Sequence, residues 1–429
     1  MTKYAGDNGI ESIKPAGNDK TDSIISFFIM MFLVTVSFST FLSNFALYWA
    51  IAVLLYSRFS GGAAPRFKYS AVYSIMLLFV AANILGLFTS GLGLAGIGKI
   101  KNVMAFLAFF LAYEKGFMLV DKIKMMTALQ AVNFILLMSA ILATAFGLTD
   151  IVYFQDFVYW PSKYSGLFEV PITYGEFLVM MQCISLALVL GAKGAFESNV
   201  KRGIFLAFVC ANAVALLLTY SRGPWAAMVL AVFALLLFNR YYRAFAAALI
   251  ISIMAAAAVI YPPVTNSAFL NDLNARVMST LGGYSSGREV IYAAGIAMIK
   301  DNPVTGVGIG GVEKNYSDYV KRVEWAPEER KAMVYGHLHN LYLQIYAETG
   351  FAGFASFICL CLYVLAGRLI KKIRSIKEEG SVEKAFATGT ALAFAAVLVM
   401  GLSEYNMFNN EISRILWFYT GMALGGRKS

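Results

Sequence analysis

Both histidines of this 429-residue chain lie in one short run, Tyr335-Gly336-His337-Leu338-His339-Asn340, which closes the long polar stretch of an otherwise apolar sequence. Two arginines stand out beside them. Arg222, in Thr219-Tyr220-Ser221-Arg222-Gly223-Pro224-Trp225, falls in a tight turn between two apolar runs, and Pro224 fixes the direction of the second. Arg288, in Ser286-Gly287-Arg288-Glu289, opens a run over 290–300 that predicts a helix, with Ser285 or Ser286 as its cap and Asp301-Asn302-Pro303 as its stop. A cation at a helix start opposes the helix dipole unless an anion is also there.

Each residue has a plain reading. Arg222 could snorkel to a membrane interface, Arg288 could pair with Glu289 or another carboxylate, and His339 could be an interfacial hydrogen-bonding residue. Taken together they describe a chemistry. Two guanidiniums can grip a diphosphate through paired bonds and balance the charge that develops on it as a leaving group, a task otherwise given to a divalent metal. An imidazole can take the proton of an attacking hydroxyl. His337, Asn340 and Tyr220 are candidates for supporting roles. Histidines two residues apart, with no cysteine and only scattered carboxylates, do not make a zinc site, so no metal and no cofactor is expected. Were a metal required, Asp272, Glu313, Asp318 and Glu324 would be the ligands to examine.

The elements that must position these groups follow from composition. With 59% hydrophobic and 14% charged residues and a mean hydropathy of +0.67, the chain cannot hide its apolar surface in a water-soluble core. The apolar runs are continuous and mostly near helix-spanning length, without the alternation of a barrel. The reading is an all-α polytopic membrane protein with about twelve transmembrane helices, near 24–42, 45–56, 69–88, 103–113, 126–146, 172–190, 204–218, 225–238, 244–260, 341–366, 385–402 and 415–424. These divide the chain into a cytoplasmic tail (1–23), spans one to nine (24–261), a large helical loop or cap (262–338) and spans ten to twelve with a cytoplasmic C-terminus (339–429).

The distribution of basic residues supports that layout. Every segment on the side of the termini is basic, whereas the short loops of the other face hold only Lys99, Lys101, Lys163, Arg222 and Arg414. The 262–338 loop then lies outside. The net charge of +10 is mostly this asymmetry against anionic membrane lipid, and no nucleic-acid partner is expected. The first 22 residues lack an apolar core, so the first span is expected to act as an uncleaved insertion signal. Cys183, Cys210, Cys359 and Cys361 fall inside apolar runs and are expected to be small buried residues, with no metal-ligand spacing. Gly306-Val307-Gly308-Ile309-Gly310-Gly311 satisfies GxGxxG but has no βαβ context, and is read as a turn that lets backbone approach the membrane or a neighbouring helix.

The sequence resembles the O-antigen ligase and O-antigen polymerase superfamily of bacterial envelope glycosyltransferases. The resemblance rests on Ser221-Arg222-Gly223-Pro224-Trp225, on Ser286-Gly287-Arg288-Glu289 leading to Asp301-Asn302-Pro303-Val304-Thr305-Gly306-Val307-Gly308, and on His339-Asn340-Leu341-Tyr342-Leu343-Gln344 leading to Glu348-Thr349-Gly350. It implies a membrane-embedded, metal-independent glycosyltransferase in the bacterial inner membrane, its site periplasmic, drawing on an undecaprenyl-diphosphate-linked glycan donor. Arg222 and Arg288 would hold the donor diphosphate, and His339 would be the catalytic base or orient the acceptor; His337 stands outside the family pattern. The ligase branch, with a lipid A-core sugar as acceptor, is preferred over a polymerase acting on another lipid-linked repeat, and a protein O-oligosaccharyltransferase is a third branch. From a different class, a flippase of lipid-linked glycan would show polar residues at mid-membrane, whereas the spans here read as apolar.

Overall fold

The computed structural model describes residues 19–60, 69–91, 103–146, 164–260 and 287–426, with Phe67 and Gly98. Residues 1–18 of the tail, Lys99, Lys101, Lys163, and 262–286 with Asp272, Ser285 and Ser286 lie outside the described residues. The described chain is helix and turn, with no strand among these residues. In order the helices are α1 (Asp19–Thr35), α2 (Thr40–Phe59), α3 (Ala71–Thr89), α4 (Phe106–Leu111), α5 (Lys122–Ala145), α6 (Pro171–Gly191), α7 (Asn199–Leu218), α8 (Arg222–Phe238), α9 (Tyr242–Ile260), α10 (Arg288–Asp301), α11 (Gly311–Val320), α12 (Leu341–Leu362), α13 (Val382–Met400) and α14 (Asn410–Leu424). Through the π-helical turns of Tyr363–Ile370, α12 continues to Ser375.

Seven of these, α2, α3, α5, α6, α7, α12 with its extension, and α13, are long and apolar enough to cross a bilayer. Apolar side chains such as Phe41, Leu77, Leu85, Phe88, Ile250 and Met254 face outward, as a lipid-facing surface requires. Each expected apolar run corresponds to a helix, but the first boundary is corrected. The run near 24–42 breaks after Thr35, because Ser39 caps α2 by accepting from the Leu42 N–H (3.2 Å).

At the centre, α6 is buried on nearly every side and lies along α13, where a Cβ on Gly389 would come within 2.5 Å of the Ile184 Cα. A small residue there lets the two backbones approach. The expectation that the spans are apolar is also corrected. Gln130 of α5 donates to Ser185 (2.9 Å) and Gln182 (3.3 Å) of α6, and Asn212 of α7 donates to Gln130 Oε1 (2.6 Å). Such mutual bonds let polar side chains sit inside runs whose average hydropathy hides them.

Beyond the bundle, α10 and α11 form a cap with its own core of Val290, Ile291, Met298, Val312, Tyr316 and Leu338. The glycine turn ahead of α11 docks that cap. Val307 N–H donates to Ala347 O (2.7 Å), Gly308 N–H to Glu348 O (3.0 Å) and Ile309 N–H to Gly86 O (3.1 Å). These carbonyls belong to α12 and the end of α3, so the close approach expected of the glycines is made to neighbouring helices. At Gly308 (φ +85°) a Cβ would lie 2.3 Å from the Ser90 backbone, which leaves room for glycine alone. Opposite this turn α12 itself breaks at Gly350 (φ 62°, ψ −165°).

Candidate functional site

The Arg222 turn is built from its own residues. After α7 the chain reverses through Thr219-Tyr220-Ser221, with Tyr220 in the left-handed region (φ 50°), and the Trp225 indole N–H clasps the turn by donating to Leu216 O (2.9 Å). Arg222 is thereby the first residue of α8, and Pro224 sits in the first helical turn where a missing N–H costs no bond. Arg288 is likewise the first residue of α10. The cap position is Gly287 (φ 75°), which makes no side-chain cap bond to α10, and the serines expected there lie outside the described residues. Ser221 gives α8 no side-chain cap bond either. Two helix N-termini, each headed by an arginine and neither capped by its own N-cap side chain, favour an anion.

His339 is held from several directions. Its backbone is left-handed (φ 48°), a conformation that non-glycine residues seldom adopt and that clusters at functional sites. The His339 N–H donates to Nδ1 of His337 (3.3 Å), the Tyr292 hydroxyl of α10 donates to the His339 carbonyl (3.2 Å), and the two imidazoles meet edge to face at 4.1 Å. Asn340 is placed by its fold role. Its Oδ1 accepts from Tyr342 and Leu343 N–H (both 3.0 Å), capping α12, while its amide donates to Leu402 O (2.9 Å).

The residue that joins these parts is one that sequence reasoning missed. Glu404, in the turn after α13, forms an ion pair with Arg288 through Oε1 and meets His339 Nδ1 through Oε2 at 3.2 Å. Its side chain is 11% exposed, against 32% for Arg288 and 28% for His339, so the carboxylate is the buried hub of the three. An ionised carboxylate only accepts, so facing one Nδ1 would be the donor, and a neutral ring in that tautomer would present its lone pair at Nε2. His337 carries a different signature. Burial, and then the neighbouring His339, push its imidazole down to about 4, with Glu404 opposing and Arg288 adding to the shift. The ring is neutral near pH 7, as its acceptor role at Nδ1 requires.

Arg222, Arg288, His337, His339, Tyr220 and Glu404 line one cavity of about 560 Å³, closed on the bundle side by Thr173 and Glu176 of α6 and by Asn406 and Asn409. Glu176 is a second residue that sequence reasoning passed over. It accepts from the Asn406 amide (3.1 Å) in a region 2% exposed, and Asn409 reaches Thr173 (3.3 Å). Of the sequence-predicted group, Asn340 alone does not line the cavity.

Residues 205–358 match the family described as O-antigen ligase. Over that segment, just over a third of its length, the chain is similar to the O-antigen ligase superfamily. No curated protein matches it. The superfamily segment runs from α7 into α12 and contains Arg222, Arg288, His337 and His339, whereas Glu176 and Glu404 lie on either side of it. The cavity is therefore assembled from both the matched segment and the rest of the chain. Its lining brings together two guanidiniums, which suit an anion, and an imidazole, which can receive a proton.

Proposed function

We propose that this cavity transfers a glycan from undecaprenyl diphosphate to a sugar hydroxyl of a lipid A-core acceptor, at the periplasmic face of the inner membrane in a twelve-span topology. The observation that carries the reading is the convergence of Arg222, Arg288 and His339, from three separate stretches of chain, on one cavity. In the reaction the acceptor hydroxyl oxygen bonds to the anomeric carbon as the carbon–oxygen bond to the diphosphate breaks. The bonding pair leaves with the diphosphate, and the hydroxyl proton passes to His339 Nε2. Displacement in a single in-line step inverts the anomeric centre.

Each residue then has one task. Arg222 and Arg288, with the N-termini of α8 and α10, meet the charge on the leaving diphosphate. Arg288 exchanges its Glu404 partner for the donor, and Glu404 keeps His339 in the tautomer whose Nε2 accepts. Because the arginines supply the positive charge, transfer is expected to survive EDTA; recovery only with magnesium or manganese would redirect attention to Asp272, Glu313, Asp318 and Glu324.

The test is reconstitution of the purified protein with undecaprenyl-diphosphate-linked polysaccharide and either lipid A-core or a lipid-linked repeat as acceptor. Polysaccharide joined to lipid A-core, with release of undecaprenyl diphosphate and its abolition in His339→Ala, is the expected result. Lengthening of the lipid-linked repeat instead would make the protein a polymerase. Undiminished turnover in His339→Ala would remove the base from the scheme.

A further inference from the structure

The helices that close the site carry a second hollow at their other ends. It has a volume of about 780 Å³ and is formed by the end of α6 (Leu190), the end of α8 and its turn (Phe238, Arg240), the extension of α12 (Arg374) and the start of α13 (Lys384). From Pro171 to Gly191, α6 spans 21 residues, so the two hollows stand about 30 Å apart at a rise of 1.5 Å per residue. That distance is the depth of a bilayer's hydrocarbon core.

Among the described residues, three cations and one carboxylate line this second hollow. The carboxylate, Glu379, is engaged by Lys384, while Arg240 and Arg374 form no ion pair with any described residue. Arg240 is also held in the left-handed region (φ 57°), where its N–H bonds Leu237 O (3.0 Å) and the next N–H reaches Leu236 O (2.9 Å). Only two other described non-glycine residues share that backbone, Tyr220 and His339, and both line the opposite cavity. Leu190, Leu235, Phe238 and Ile373 supply an apolar wall beside the arginines.

We propose that this hollow binds the phosphate headgroup of an anionic phospholipid, with Arg240 and Arg374 on the phosphate and the apolar wall against the glycerol and upper acyl chains. A planar guanidinium pairs with phosphate oxygens through parallel charge-assisted bonds. Two of them from separate elements, the α8–α9 turn and the extension of α12, give the headgroup a defined seat that a diffuse basic rim does not have. An occupant would tie those two elements together at the end of the bundle away from the cap. This assignment is independent of the transfer reaction and of its acceptor.

Intact-complex mass spectrometry of the full chain in uncharged detergent tests it, with dioctanoyl phosphatidylglycerol, dioctanoyl phosphatidylcholine and inorganic phosphate as probes. Phosphatidylglycerol is expected to bind about tenfold more tightly than phosphatidylcholine, and to lose about tenfold in each of Arg240→Gly and Arg374→Gln, the scale of one charge-assisted bond. Glycine suits the left-handed backbone at 240, so that variant keeps the turn; unchanged melting temperatures would confirm both folds. Arg243→Gln, on α9 outside the hollow, should bind as the parent does. Equal retention of the two lipids, an equal loss in Arg243→Gln, or displacement of phosphatidylglycerol by free phosphate at matching concentration would each overturn the assignment.

Discussion

The two hollows at opposite ends of α6, α8 and α13 are both lined by arginine, yet their charges are held in different ways. In the site cavity Arg288 is already paired with the buried Glu404, which also holds His339, and two backbones are forced into left-handed conformations around it. In the other hollow Arg240 and Arg374 are exposed, and the one carboxylate among the described lining residues belongs to Lys384. A group that only has to attract an anion needs charge and access. One that must also pass a proton in a fixed geometry needs neighbours that hold it still, and in the site cavity a single carboxylate connects the cation to the base.

The largest expected effect tests whether the site cavity is more than a basic patch. Arg222→Ala and Arg288→Ala should each lower glycan transfer by about 100-fold or more while the protein still inserts, the scale set by removing a donor aimed at developing charge. Lysine at either position should restore only part of the rate, because it lacks the planar fork. Normal transfer in both alanine variants would leave the two hollows equivalent.

Glu404→Gln sharpens the same contrast. It keeps the shape of the side chain and removes the charge that joins Arg288 to His339, so turnover should fall by about 10- to 100-fold, up to the low end of a general-base contribution. The donor KM should not rise, since Arg288 loses a competitor. A raised KM with unchanged kcat would make Glu404 a binding residue instead of a positioning one.

Glycine substitutions compare the two ends by stability. Gly308→Ala places a Cβ 2.3 Å from the Ser90 backbone at φ +85°, and should cost about 3 kcal/mol or more, as overpacking adds to left-handed strain. Gly380→Ala has a similar φ of +82° but its Cβ meets nothing nearer than Gly191 O at 3.8 Å, so only the backbone cost of about 1 kcal/mol should appear. Melting temperatures of the two variants in one detergent decide this.

The smallest effect concerns His337. Its folded pKa of about 4 lies below the ordinary imidazole value of 6.5, so the unfolded chain binds more protons between those limits and stability rises with pH across that window. Acidification from 6.5 toward 4 should therefore lower the melting temperature. His337→Asn, which keeps an acceptor for the His339 N–H, should flatten that dependence. An identical slope in the variant would assign the acid sensitivity elsewhere.

Local pattern carried much of this architecture. The apolar runs located the helices, Pro224 and the glycines located the turns, and the isolation of both histidines pointed to the cavity. Glu404 escaped because a lone carboxylate after an apolar run reads as an ordinary interfacial residue, and its partners are remote in the chain. Glu176 could have been found. A carboxylate inside a long apolar run is costly without a partner and marks a polar cavity or an ion pair. The Ser39 boundary and the polar contacts of α5, α6 and α7 were hidden by averaging, since hydropathy over a window does not register which few side chains bond one another.

The docking of the glycine turn bears on how the protein is assembled. Its three carbonyl partners come from Gly86, made early, and from Ala347 and Glu348, made after the cap itself. A chain synthesised from its N-terminus has the first half of that seat waiting when the cap emerges. The other half exists only once α12 has entered the membrane and bent at Gly350. The cap thus completes its fold as the ribosome finishes the last quarter of the chain, and a protein that stalls before α12 carries the two arginines without the frame that brings them to the histidine.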